Sequence, residues 1–291
     1  MQKVVKALCD ALTLAVKPIG ANASFFFFMY ALGCVSSWAV LPDSKGAKVY
    51  DNLYLELLLD TYALCMVLAL LPLAVRRWAR GLLYVALYTT SLVDVYCFVK
   101  FQSTLTPSML MLVGETDTRE AGEFLRSCVS PGVITSSVGW VLALIILHVL
   151  TALRLKFPHI IPHRTEQRLR GAGRRIAAFA SEAYVRAAAG LAVVIMVVWA
   201  AVVSADNKQA TWKLMSGTNI GEVEHTLTEK DHAQLYLPAY RLVFSVYANS
   251  LAAKQIDRLI AGINDVRVDS CSYSSPTIVL IIGESYSRHH S

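Results

Sequence analysis

The sequence predicts a polytopic α-helical membrane protein with five transmembrane helices, followed by a linker helix and the first strand of an α/β domain. Three observations carry that prediction. The 291 residues are 55% hydrophobic with a mean hydropathy of +0.48, well above an ordinary soluble domain. The apolar residues come in blocks of about 20, enough to cross ~30 Å of hydrocarbon as helix. Basic residues crowd alternate connections between those blocks, as in the loops of a membrane protein.

Residues 1–17 place Val4, Val5, Leu8, Leu12 and Val16 at helical spacing, interrupted by Lys3, Lys6 and Asp10. The apolar core is too short for a signal peptide, so this segment reads as an uncleaved cytoplasmic start. Pro18 and Gly20 are expected to end it. Spans are predicted over residues 22–41, 54–75, 82–99, 133–153 and 185–203. The second ends in Arg76 and Arg77, with Arg80 close behind. The fourth is followed by Arg154, Lys156, Arg164, Arg168, Arg170, Arg174 and Arg175. Loops after the first and third spans are not basic. The positive-inside rule then puts the amino terminus in the cytoplasm and everything beyond Val203 on the outer face. Most of the net charge of +6 lies in the two basic loops, which argues against nucleic acid as a partner.

Residues 204–231 are polar and turn-rich, with no sustained period. A helix is predicted over about 238–263, with Pro238 in its first turn. Leu242, Val246, Ala253, Ile256 and Ile260 form its apolar stripe. It either packs on a soluble domain or lies in the outer membrane interface, which Tyr236, Tyr240 and Tyr247 would suit. The chain thus divides into a transmembrane domain (1–204), an outer linker (205–272) and the opening of a catalytic domain (273–291). Residues 277–282 read Thr-Ile-Val-Leu-Ile-Ile, a strand covered on both faces as in a parallel α/β sheet. Gly283 lets the chain turn, and Glu284 follows where such sheets bind ligands.

Glu284 suits a hard metal such as Zn²⁺ or Mn²⁺, or it is a loop carboxylate with no metal. Ser285 has no base fixed beside it by local sequence. Arg288 either holds a phosphate oxygen or is simply exposed. His289 and His290 are adjacent, so their side chains diverge. His148, inside the fourth span, reads as a hydrogen-bonded structural histidine. Cys34, Cys65 and Cys97 are small hydrophobes within apolar blocks. Cys128 and Cys271 fall outside the membrane, where a disulfide is chemically possible.

The run Ile281-Ile282-Gly283-Glu284-Ser285-x-x-Arg288-x-His290 resembles the opening motif of bacterial phosphoethanolamine transferases, members of the alkaline-phosphatase/sulfatase superfamily. The family plan, five transmembrane helices and then a periplasmic hydrolase-like domain, resembles this chain as well. The motif spacing is closer to the branch that modifies lipopolysaccharide core sugars or other surface acceptors than to the lipid A branch. Ser291 departs from the methionine common there. The resemblance implies that residues 273–291 open a sulfatase-like domain and that Glu284 binds the catalytic zinc.

A second stretch, Glu115-Thr116-Asp117-x-x-Glu120-Ala121-x-Glu123-Phe124-Leu125, is similar to the family's Glu-Thr-Asn-x-x-Glu-Ala-x-Glu-Phe-Leu segment. Thr116 and Glu120 share one helical face. The resemblance implies that they contact the ammonium of the phosphatidylethanolamine donor, although Leu112 replaces a family asparagine. Taken alone, the segment reads equally as a solvated acidic helix. Glu56, Asp60 and Asp94, near the outer ends of spans two and three, are expected to add an anionic vestibule for that amine.

The implied reaction is ping-pong, at the periplasmic face of the bacterial inner membrane. A zinc-activated threonine takes phosphoethanolamine from phosphatidylethanolamine, releases diacylglycerol, and passes the group to a lipopolysaccharide, lipid A or other surface-glycan acceptor. The threonine and the remaining zinc ligands are expected beyond Ser291, leaving this amino-terminal portion inactive alone. A phosphoglycerol transferase or a sulfatase-like hydrolase of the same superfamily would share these features. A non-catalytic membrane scaffold or sensor would share the spans.

Overall fold

The computed structural model describes residues 2–42, 44–115, 131–156, 183–228 and 233–264. Every regular element among them is a helix. The predicted strand at 277–282 lies outside the described residues.

Helix α1 (Gln2–Ala21) continues through Pro18, and the chain bends by 72° at Asn22 into α2 (Ala23–Ala39). The expected stop at Pro18 is therefore displaced. Asn22 fixes the bend by donating from Nδ2 to the carbonyl oxygens of Pro18 at 3.2 Å and Cys65 at 3.3 Å. Helices α3 (Leu53–Leu70) and α4 (Leu73–Phe101) are joined by Leu71 and Pro72 alone. The proline ring keeps Leu71 extended, at φ −76° and ψ 145°, so α3 ends before the predicted limit of residue 75. Arg76, Arg77 and Arg80 consequently sit on the first turns of α4. Arg76 Nη2 closes the preceding helix, donating to the carbonyls of Ala69 at 2.7 Å and Leu71 at 3.0 Å.

Short helices α5 (Pro107–Glu115) and α6 (Pro131–Ile134) precede α7 (Ser137–Lys156). Helix α8 (Ala183–Met215) runs 33 residues, well past the predicted end at Val203. Within the stretch read as turn-rich, residues 204–215 are thus the end of α8, and α9 (Ile220–Thr228) follows. Helix α10 (Pro238–Asn264) starts at the predicted proline.

Three helices, within 53–70, 73–101 and 185–215, are long and apolar enough to cross a membrane, or four if α1 and α2 count as one bent span. Residues 137–153 form a shorter apolar helix. This is a helical membrane protein. By this measure the second, third and fifth predicted spans match α3, α4 and α8, the first matches only if α1 and α2 are one bent span, and the fourth is that shorter helix.

One core unites Phe25, Phe28, Met29 and Leu32 of α2, Cys65 and Leu68 of α3, Tyr88 and Val95 of α4, and Val141 of α7. Elsewhere α4, α7 and α8 leave apolar side chains uncovered by protein, among them Val85, Leu150, Ile195 and Val202. Such faces suit hydrocarbon. Helix α1 packs on α8 and α3. A Cβ at Gly190 of α8 would overlap the Leu12 carbonyl oxygen, so the absent side chain is what permits that crossing. We term the end at which α2 and α4 finish and α3 begins the upper end. Leu214, Val223, Phe244, Ala248 and Leu251 make a second small core from α8, α9 and α10.

The chain forms two compact units, Met1–Ala252 and Ala253–Ser291. The described part of the second is the last stretch of α10, where Ile256, Leu259, Ile260 and Ile263 are exposed. In the first unit α10 buries Arg241, Phe244, Ser245, Ala248 and Leu251, while Val246 faces outward. Of the predicted stripe, Leu242 is half-buried and Val246 exposed within the first unit, so the buried face there is a different one. Arg241 on that buried face makes an ionic contact.

Candidate functional site

That contact belongs to a buried polar cluster at the upper end, built from Glu56 and Asp60 of α3, Asp94 of α4, Asn207 and Lys208 of α8, and Tyr236, Tyr240 and Arg241 around the start of α10. Asp94 is fully buried, and Arg241 grips it with two bonds, Nε to Oδ1 at 3.0 Å and Nη2 to Oδ2 at 2.6 Å. Paired, forked geometry of this kind is the strongest form of carboxylate–guanidinium contact. Gln102 closes α4 in the left-handed region at φ 54°, turning the chain back on itself. The Leu105 N–H thereby reaches Asp94 Oδ1 at 3.0 Å. Arg241 Nη1 also donates to the Leu235 carbonyl at 2.8 Å.

Lys208 is the hub of the other half. Its Nζ lies 2.7 and 2.9 Å from the two oxygens of Asp60, 3.0 Å from Glu56 Oε1 and 2.7 Å from the Tyr240 hydroxyl. Asn207 Nδ2 donates to both Glu56 oxygens at 3.0 and 2.9 Å, while its Oδ1 accepts the Gln234 N–H at 2.7 Å. Tyr236 and Tyr240 donate their hydroxyls to Asp60 Oδ2.

The three acids expected to form an open vestibule are thus engaged from within, by two cations, an amide and two phenols. Charges withdrawn from water are tolerable only with such partners. What the cluster does is tie the segment after α8 to the membrane helices. Asn207 and Lys208 were missed because their stretch lacks apolar periodicity. A usable signal exists nonetheless: Ala200, Ser204, Asn207, Lys208 and Leu214 follow one helical face, and three intramembrane acids demand cations somewhere.

Thr116, Glu120 and Glu284 all lie outside the described residues, as do Cys128, Cys271, Ser285, Arg288, His289 and His290. Among the described residues no three His, Cys, Asp or Glu side chains converge as a metal centre requires. His148 behaves as expected. Its Nδ1 is 2.9 Å from the Tyr88 hydroxyl, and its ring packs on Phe28 and Tyr84 at centroid distances of 4.2 and 4.4 Å. Cys65 and Cys97 are buried, and Cys34 is half-buried. No protein-family model, curated protein or solved structure matches the chain.

Proposed function

We propose that the chain is the membrane part and opening catalytic segment of a phosphoethanolamine transferase of the bacterial inner membrane. The enzyme would move phosphoethanolamine from phosphatidylethanolamine to a lipopolysaccharide, lipid A or other surface-glycan acceptor. The observation that carries this reading is the run Gly283-Glu284-Ser285-x-x-Arg288-x-His290, placed directly after the unbroken apolar run 278–282 and downstream of membrane helices. The Glu115–Leu125 stretch supports it with a second, independent likeness. The basic residues at the opposite end of the bundle, Arg76, Arg77 and Arg80, support a cytoplasmic lower end and a periplasmic upper end.

In this reading Glu284 supplies one hard oxygen ligand, a donor type that zinc accepts. Zinc, when bound, supplies Lewis-acid activation of a threonine hydroxyl and offsets charge on the phosphoryl group. Thr116 and Glu120 receive the ammonium of the donor headgroup. The buried cluster holds the start of α10, which precedes the Glu284 segment in sequence.

The test is headgroup transfer in membranes carrying the complete enzyme, with label in the ethanolamine. Glu284→Ala is expected to abolish appearance of label in the acceptor fraction while leaving the protein in the membrane. Undiminished transfer would remove zinc ligation by Glu284 from the reading. Transfer from labelled phosphatidylglycerol, with none from phosphatidylethanolamine, would replace it with the phosphoglycerol chemistry of the same superfamily.

A further inference from the structure

We infer that the segment 233–251, which runs into the first half of α10, sits within the membrane leaflet at the upper end, with the face carrying Val243 and Val246 covered by lipid acyl chains. Depth is the first argument. Asp94 lies seven residues before the end of α4, Asp60 seven after the start of α3, and Gly33 six before the end of α2. At ~1.5 Å per residue, all three are ~9–10 Å below the upper ends of their helices. The segment reaches every one of them. Arg241 binds Asp94, Tyr236 and Tyr240 bind Asp60, and a Cβ at Gly33 would meet Leu237 Cδ2 at 3.2 Å. Leu237, Pro238 and Ala239 also wall one cavity with Met29, Leu64 and Leu87 of the spanning helices.

The membrane surface can be placed against that depth. Trp38 and Tyr54 sit at the upper ends of α2 and α3, both exposed, with the indole N–H donating to the phenol at 3.1 Å. Exposed aromatic residues with a polar handle mark the headgroup level. The start of α10 is therefore below that level by the ~5–10 Å at which interfacial helices reside. It does not climb at once, because Ser245 Oγ donates to the carbonyl of Leu105, whose own N–H is on Asp94.

Chemistry agrees with depth. The inward face is fully used by Arg241, Phe244, Ser245, Ala248 and Leu251, and the polar groups on it have protein partners. The outward face shows Val243 and Val246, 54% and 55% exposed. β-Branched apolar side chains at that depth suit acyl chains. The inference is independent of the enzyme's identity and of which leaflet is periplasmic.

A photoactivatable benzophenone side chain, placed singly at Val243, Val246, Val202 or Lys45 of the full chain in phospholipid vesicles, tests it. Val202, exposed on α8, is the lipid-facing reference, and Lys45, exposed in the loop after α2, the aqueous one. Illumination followed by mass spectrometry is expected to give phospholipid adducts at Val243 and Val246 at a yield comparable with Val202, and none at Lys45. Three results overturn the inference while Val202 still labels lipid: adducts to later residues of the same chain, adducts to a second copy, or no adduct at either valine.

Discussion

Asp94 and Arg241 show how much a single buried pair can decide. With side-chain exposures of 0% and 11%, neither can turn to water if the other is lost. Asp94→Ala or Arg241→Ala is expected to cost about 3–5 kcal/mol, because each strands a charge in a dry site. The paired replacement Asp94→Leu with Arg241→Met is expected to be far milder than the sum, neutral or even stabilising. Unfolding of the four proteins in detergent measures this. Additive losses would mean that the pair is not the shared interaction described. The acids themselves were legible in the sequence, since an Asp inside an apolar block stands out. Their partners were not, because an Arg on a polar helix and a Lys in a turn-like stretch look ordinary until a tertiary contact selects them.

Helices are set by their neighbours as much as by their own residues. At the α1–α8 crossing, Gly190→Ala would push a methyl into the Leu12 carbonyl, and the crossing must open. The expected cost is about 1–3 kcal/mol, with α1 released selectively. Faster amide exchange across residues 9–21, with α3 and α4 unaffected, is the outcome to look for; unchanged exchange in α1 would count against the crossing.

Helix α9 depends on a cap. Asn219 Oδ1 accepts the Glu222 N–H at 2.9 Å, and Glu222 Oε2 accepts the Thr218 N–H at 2.7 Å and its hydroxyl at 3.1 Å. The Thr218 N–H first, then its hydroxyl, hold the Glu222 carboxyl below the usual range. A lowered folded value means that the cap contributes fully above the ordinary glutamate pKa of about 4.3 and is lost as pH falls through the lowered value. Protection of the Thr218 amide should therefore decline on acidification in the native protein. In Glu222→Gln it should be weaker at neutral pH and flat across that window. A Glu222→Gln protein that still declined would assign the titration to another group.

At the scale of the whole molecule, the 291-residue chain brings one carboxylate of the proposed zinc site, whereas protein zinc sites take three or four ligands. Purified alone, it is expected to transfer no phosphoethanolamine and to bind zinc only weakly. Acceptor labelling and zinc calorimetry check both halves. Turnover by this chain would sink that expectation.

The sequence by itself determined the helical membrane character, the positions of the apolar blocks, the start of α10 at Pro238 and the structural role of His148. These depend on composition, on local period and on the missing N–H of proline, all carried by neighbouring residues. Tertiary structure alone decided where α8 ends, which face of α10 is buried and what neutralises Glu56, Asp60 and Asp94. Asn207 lies 151 residues from Glu56, and Arg241 lies 147 from Asp94. A charge buried away from water takes whatever partner the fold brings within reach. Sequence can say that the acids need cations, but residues so far apart along the chain are paired only by the fold.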